Sequence, residues 1–129
     1  MMSQQIGCGI DVVELPRFRH VAQRGGAAFM KRVFTTREVA YAQARPRTKW
    51  LHLAARFAAK EAVIKALSQL NSHRTPAMRQ IEICNDLKGR PSVRVHPAGR
   101  KAAVIHISLS HVNSVAVATA IAIRRARSK

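Results

Sequence analysis

The segment Leu53-Ala-Ala-Arg-Phe-Ala-Ala-Lys-Glu-Ala-Val-Ile-Lys-Ala-Leu67 carries the strongest helix signal in the chain. It is rich in alanine and contains neither glycine nor proline. Spacings of four, five and four residues put Arg56, Lys60, Glu61 and Lys65 on one side of the predicted helix. Phe57, Ile64 and Leu67 supply an apolar side, with Ala54, Ala58 and Ala62 permitting close approach. One carboxylate among three cations has two readings. It is a solvated face in which Glu61 and Lys65 form an i,i+4 pair worth ~0.3–0.5 kcal/mol, or it is a metal ligand beside a phosphate clamp.

Working outward, the upstream sequence reads as one strand and two helices. Ile6-Gly-Cys-Gly-Ile-Asp-Val-Val13 is an apolar strand with Asp11 inside it, a costly place for a carboxylate unless it is paired or metal-bound. Pro16 opens a short helix that Gly25-Gly26 breaks, with a further helical turn over 27–33. Thr35 followed by Glu38 forms a capping box for a helix that runs to Ala44 and stops before Arg45-Pro46.

Downstream, Ser72 to Met78 is a polar loop. Gln80-Ile-Glu-Ile-Cys-Asn85 and Ser92-Val-Arg-Val-His96 alternate across the turn Asp86-Leu-Lys-Gly-Arg-Pro91, which predicts a hairpin with Glu82 on the strand surface. Val104-Ile-His-Ile-Ser-Leu-Ser110 and Val115-Ala-Val-Ala-Thr-Ala-Ile-Ala-Ile123 are apolar enough to lie in the centre of a sheet, and a basic tail follows from Arg124. The order is α+β: a small antiparallel sheet packed with a long central helix, in one domain over residues 1–129.

Charge narrows the function. The chain has 23 Lys+Arg against 6 Asp+Glu, a net charge of +17, so an acidic partner is expected. Nucleic acid is one such partner, but single-strand binders stack bases on aromatics, and this chain has one Trp and one Tyr. No run of about 18 apolar residues is present, and Met1-Met2-Ser3-Gln4-Gln5 lacks the pattern of a signal peptide. Neither nucleic acid nor a membrane is therefore the expected partner. Cys8 and Cys84 are far apart and read as small buried hydrophobes in a reducing, cytoplasmic setting.

The acids number only six: Asp11, Glu14, Glu38, Glu61, Glu82 and Asp86. Asp11 and Glu61 together could hold Mg²⁺, which accepts one or two carboxylates and completes its shell with water and substrate phosphate. Lys60, Lys65 and Arg56 would then balance phosphate charge. Ser108, Ser110 and His111 stand at a strand end, where ligand contacts are common. No Gly-rich phosphate loop occurs. Arg17, Arg19, Arg24, Lys31 and Arg32 form either a solvated face or a docking surface for an acidic helix.

Three segments in this order, Gly9-Ile-Asp-Val-Val-Glu-Leu-Pro-Arg-Phe18, Arg56-Phe-Ala-Ala-Lys-Glu-Ala-Val-Ile-Lys-Ala-Leu67 and His106-Ile-Ser-Leu-Ser-His111, resemble the signatures of holo-[acyl-carrier-protein] synthases, the short 4′-phosphopantetheinyl transferases. Phe34-Thr-Thr-Arg-Glu38 and Gly89-Arg-Pro91 agree with the same pattern. The resemblance implies Mg²⁺-dependent transfer of 4′-phosphopantetheine from coenzyme A to a serine of acidic apo acyl carrier protein, leaving adenosine 3′,5′-bisphosphate, in service of fatty acid biosynthesis. It implies that Asp11 and Glu61 bind the metal, that Glu61 and Lys65 are catalytic, and that Lys65 contacts the pyrophosphate. Arg56 and His111 become contacts to the coenzyme's 3′-phosphate, Ser110 a further contact to the coenzyme, and Gly89, Arg90 and Pro91 lie near its adenine. Arg17 becomes a carrier-protein contact, and the assembly a homotrimer with sites between subunits.

Overall fold

Helix α3, Lys49–Ser68, contains the whole alanine-rich segment and has the rest of the fold packed around it. The computed structural model describes residues 3–70, 74–97 and 103–125. In chain order the elements are β1 (Gln4–Glu14), α1 (Leu15–Val33), α2 (Thr36–Gln43), α3, β2 (Ile81–Asn85), β3 (Pro91–Val95), β4 (Val104–His111) and β5 (Val115–Arg125). The α+β order agrees with the sequence, but the strands form two sheets. One is β1-β5-β4 and the other is the separate β2-β3 hairpin. All pairs are antiparallel.

β5 is central, as its apolar sequence suggested, whereas β4 lies at an edge. The physical reason is β1, which returns from the far end of the chain to pair along the other side of β5, with Gly7 opposite Ala122 and Asp11 opposite Ala118. On β4, His106, Ser108 and Ser110 alternate outward and are exposed. The strand β5 also takes in Arg124 and Arg125, which the sequence assigned to the tail. The rest of that tail, and the start of the loop beginning at Ser72, fall outside the described residues.

Small residues set the distance between helix and sheet. Ala116, Ala118, Ala120 and Ala122 alternate inward from β5, and Ala58, Ala62 and Ala66 meet the sheet from α3. Gly7 and Gly9 complete the contact: a Cβ at either would lie 2.0 Å from the carbonyl oxygen of Ala66 or Ala62. Neither backbone can give way, so Gly9→Ala is expected to cost about 1–3 kcal/mol or more by overpacking. Urea unfolding measures it, and an unchanged midpoint would contradict so close an approach. The free edge of β1 is covered from the same helix side, where Gln69 accepts from the Cys8 N–H at 2.9 Å.

On its other side α3 meets the helices. Phe18 of α1 contacts Phe29, Phe34, Trp50 and Phe57, with centroids 5.4–6.4 Å apart. α1 is kinked at Gly26, where φ is 58°, a conformation glycine reaches without strain. α2 starts on the expected capping box: the Thr35 N–H donates to Glu38 Oε1 at 2.8 Å, and the Glu38 N–H donates to Thr35 Oγ1 at 3.3 Å.

Candidate active site

Because α3 is covered on two sides, its polar residues do not share one face. Lys60 is completely buried and ion-paired with Glu38. Its ammonium also donates to the carbonyls of Val33 at 2.6 Å and Met78 at 3.1 Å. The expected role of Lys60 in balancing phosphate charge is therefore corrected: it ties α3 to the chain around α2. Burial pushes its pKa down, and the Glu38 charge opposes that shift. Glu82 is likewise buried, not on the strand surface as expected, because β2 packs against both α2 and α3. It lies 3.9 Å from Arg37 and 3.8 Å from His96.

Of the other polar residues of α3, Glu61 lines one cleft and His52 and Arg56 line another that shares no residue with it, while Lys65 stands beside Asp11. The first has a volume of about 470 Å³ and is lined by Asp11, Glu14, Arg17, Phe57 and Glu61, among others. Alternation along β1 turns the odd-numbered residues toward α3, which is how Asp11 meets the helix. Lys65 donates to the Ile10 carbonyl at 2.9 Å and stands 3.4 Å from Asp11 Oδ1, with its side chain half exposed. Burial pushes the Glu61 carboxyl above the usual carboxylate range, Asp11 pushes it the same way, and Lys65 partly offsets both.

Two carboxylates whose charges oppose each other, beside a lysine, form a donor set suited to a hard dication such as Mg²⁺. Among the described residues, no cluster of three or more His, Cys, Asp and Glu groups forms. The other acids are committed elsewhere: Glu38 to Lys60, Glu82 near Arg37 and His96, and Asp86 to the hairpin turn, with Glu14 on the wall of the same cleft.

The second cleft, about 750 Å³, is basic. Arg56, Gly89, Arg90, Pro91 and His111 all line it, so the structure brings together residues from α3, the hairpin turn and the end of β4. Ser108 lines it too, whereas Ser110 is exposed and does not. Asp86 shapes the turn by accepting from the N–H groups of Lys88 at 2.9 Å and Arg90 at 2.8 Å and from Arg90 Nε at 2.9 Å. His52 also lines the cleft; burial lowers its pKa, and Arg56, Arg45 and His111 lower it further.

The sequence model of the 4′-phosphopantetheinyl transferase superfamily matches residues 7–120. The chain belongs to this family. The holo-[acyl-carrier-protein] synthase of Mycobacterium leprae is 40% identical to it over 124 residues, covering 90% of this chain and 95% of the relative. Among solved structures, the ACPS–CoA complex of Chronobacterium ammoniagenes superposes with a TM-score of 0.78 at 30% identity, covering 95% of this chain and 98% of that one. A holo-(acyl-carrier-protein) synthase of Bacillus anthracis in complex with CoA (3′,5′-ADP) gives 0.76 at 30% identity, covering 94% and 98%. The protein is thus an enzyme of the phosphopantetheinyl transferase class.

Sequence reasoning for this transferase passed over Tyr41 and His52. Tyr41 sits between two guanidinium groups, with Arg45 at 3.6 Å and Arg56 at 4.1 Å from its ring centroid. His52 meets the same ring edge-on at 5.2 Å. The signal available was the four-residue spacing of Tyr41 and Arg45 across the C-terminal end of α2. The contact to Arg56 joins two helices and has no counterpart in local sequence.

Proposed function

We propose that this transferase moves 4′-phosphopantetheine from coenzyme A to a serine of acyl carrier protein, with Mg²⁺, leaving adenosine 3′,5′-bisphosphate. The observation that carries the reading is the meeting of Asp11 from β1 with Glu61 from α3 on one cleft wall, with the Lys65 ammonium 3.4 Å from Asp11 Oδ1. In the reaction, the serine oxygen forms a new bond to phosphorus as the pyrophosphate P–O bond breaks, and the electron pair leaves on the bisphosphate. Asp11 and Glu61 are the residues that would hold Mg²⁺, which when bound neutralises charge building on the leaving group. The half-exposed Lys65 ammonium, anchored on the Ile10 carbonyl, offers a second positive charge to the same phosphates. Within this reading Glu61, on the wall of the same cleft, is the group of this chain placed to accept the serine proton.

The second cleft suits the nucleotide end of coenzyme A. Arg56 supplies a charge-assisted donor for a phosphate, and the turn at Gly89-Arg90-Pro91 lines the same cleft. The carboxylate cleft and this basic cleft are separate within one chain. An assembly in which one subunit's carboxylates face a neighbour's basic cleft would join them. The outer face of the three-stranded sheet supports that reading, because Ile6, Ile10 and Val12 are 57–62% exposed on β1, next to exposed Ile121 of β5. We infer a homotrimer through this face. Sedimentation should give three times the chain mass, and a monomer at micromolar concentration would contradict it. Cys8 and Cys84 are free thiols, in keeping with a cytoplasmic setting, although Cys8 is exposed on the outer face of β1 and not buried as expected.

Incubation with apo acyl carrier protein, coenzyme A and Mg²⁺ tests the function. Mass spectrometry should find a phosphopantetheine adduct on the carrier protein, and no adduct with any acyl carrier protein would overturn the reading. Docking has its own test. Arg17 is exposed on α1 and lines the carboxylate cleft, where an acidic carrier helix would reach it. Arg17→Glu should raise KM for the carrier protein about tenfold and increasingly so at low salt, with KM for coenzyme A within about twofold. An equal rise in both constants would argue against a docking role.

A further inference from the structure

We propose that Tyr41 is a positioning residue for coenzyme binding, holding the Arg56 guanidinium over its ring in the place where it meets the phosphate of the nucleotide. The inference rests on the reading of the basic cleft as the nucleotide site.

Arg56 is nearly buried, with 4% of its surface exposed, yet the protein gives it few hydrogen bonds. Its Nε has no hydrogen-bond partner among the described residues, and its Nη1 reaches the His52 carbonyl only at 3.5 Å. A buried guanidinium left in this state is costly unless something else takes up its donors. What holds it is the face of Tyr41, 4.1 Å away. Contact with the ring holds the guanidinium at the cleft, where Arg56 is one of the lining residues. Arg45 lies over the same ring at 3.6 Å and is tied to the Tyr41 carbonyl by its own Nη1 at 3.0 Å.

The phenol oxygen is used as well. Asn85 Nδ2 donates to it at 3.0 Å, and Asn85 ends β2 immediately before the turn that carries Gly89, Arg90 and Pro91. Tyr41 therefore connects the arginine wall of the cleft with its hairpin wall. Its ring is only half-buried, so its removal does not open a core cavity.

The test compares coenzyme A with 3′-dephospho-coenzyme A in steady-state transfer and in calorimetric binding, with thermal melting as a fold control. Tyr41→Leu should raise KM and Kd for coenzyme A about tenfold, the size of one misplaced charge-assisted contact. It should leave kcat within about twofold and change KM for the dephospho form much less. Tyr41→Phe keeps the ring and should keep the ratio of the two KM values within about twofold of the parent. Equal effects of Tyr41→Leu on both coenzymes, or a loss confined to kcat, would overturn the positioning role. Arg56→Ala is the control for the underlying reading. If that variant does not discriminate between the two coenzymes, the assignment of Arg56 to the phosphate fails first, and the role of Tyr41 falls with it.

Discussion

Replacing Asp11 or Glu61 by alanine is expected to lower kcat/KM for phosphopantetheine transfer by about 10²–10³-fold or more, because each removes a charge that organises the phosphates in the transition state. The two carboxylates come from different elements, β1 and α3, and meet only through packing. Burial pushes the Glu61 carboxyl above the usual carboxylate range, and the Asp11 charge adds to that push, so a cation between the two would relieve both. Two results should follow together. Mg²⁺ should raise the Tm of the parent protein and fail to raise that of Asp11→Ala or Glu61→Ala, by mass action on a site that only the folded state forms. Without Mg²⁺, both variants should melt within a few degrees of the parent. Transfer rates close to the parent's in either variant, with the Mg²⁺-dependent shift intact, would exclude these residues as the metal ligands.

The second large effect concerns stability. Lys60→Met should destabilise the protein by about 3–5 kcal/mol, because it leaves the Glu38 carboxylate buried without its cation. For a chain of this size that corresponds to a fall in Tm on the order of 10 °C. Glu38 would keep only the N–H groups of Thr35 and Ile83, each at 2.8 Å. Glu38→Ala should cost at least as much, since it also removes the capping box of α2 and strands the ammonium among carbonyl oxygens. The double change Lys60→Met with Glu38→Gln should cost less than the sum of the singles, because neither partner is then left charged. Chemical denaturation provides the numbers. A Lys60→Met variant within about 1 kcal/mol of the parent would mean the pair is not desolvated as the geometry indicates.

These two pairs differ in how far they could be read from the sequence. Asp11 and Glu61 stood out because acids are so few and because the flanking segments resemble a known signature. Glu38 was legible in part: its capping box with Thr35 depends on residues three apart and forms as expected. Its pairing with Lys60 was not legible. Helical spacing placed Lys60 beside Glu61, and on a half-exposed helix that would have made it a surface charge. α3 is covered by the sheet on one side and by α1 and α2 on the other, so the same spacing sends Lys60 inward.

The sequence by itself determined what depends on near neighbours: the alanine-rich helix, the break at Gly25-Gly26, the α2 cap and the Asp86–Pro91 hairpin turn. Periodicity, capping and turn chemistry act within a few residues, so they are written locally. Only the tertiary structure decided that β1 pairs with β5, that the strands divide into two sheets, and which way each polar residue of α3 points. It alone placed Tyr41 against Arg56 and separated the carboxylate cleft from the basic one. Those outcomes rest on contacts between residues far apart in the chain, whose energies depend on which surfaces cover which, and no local pattern encodes that choice.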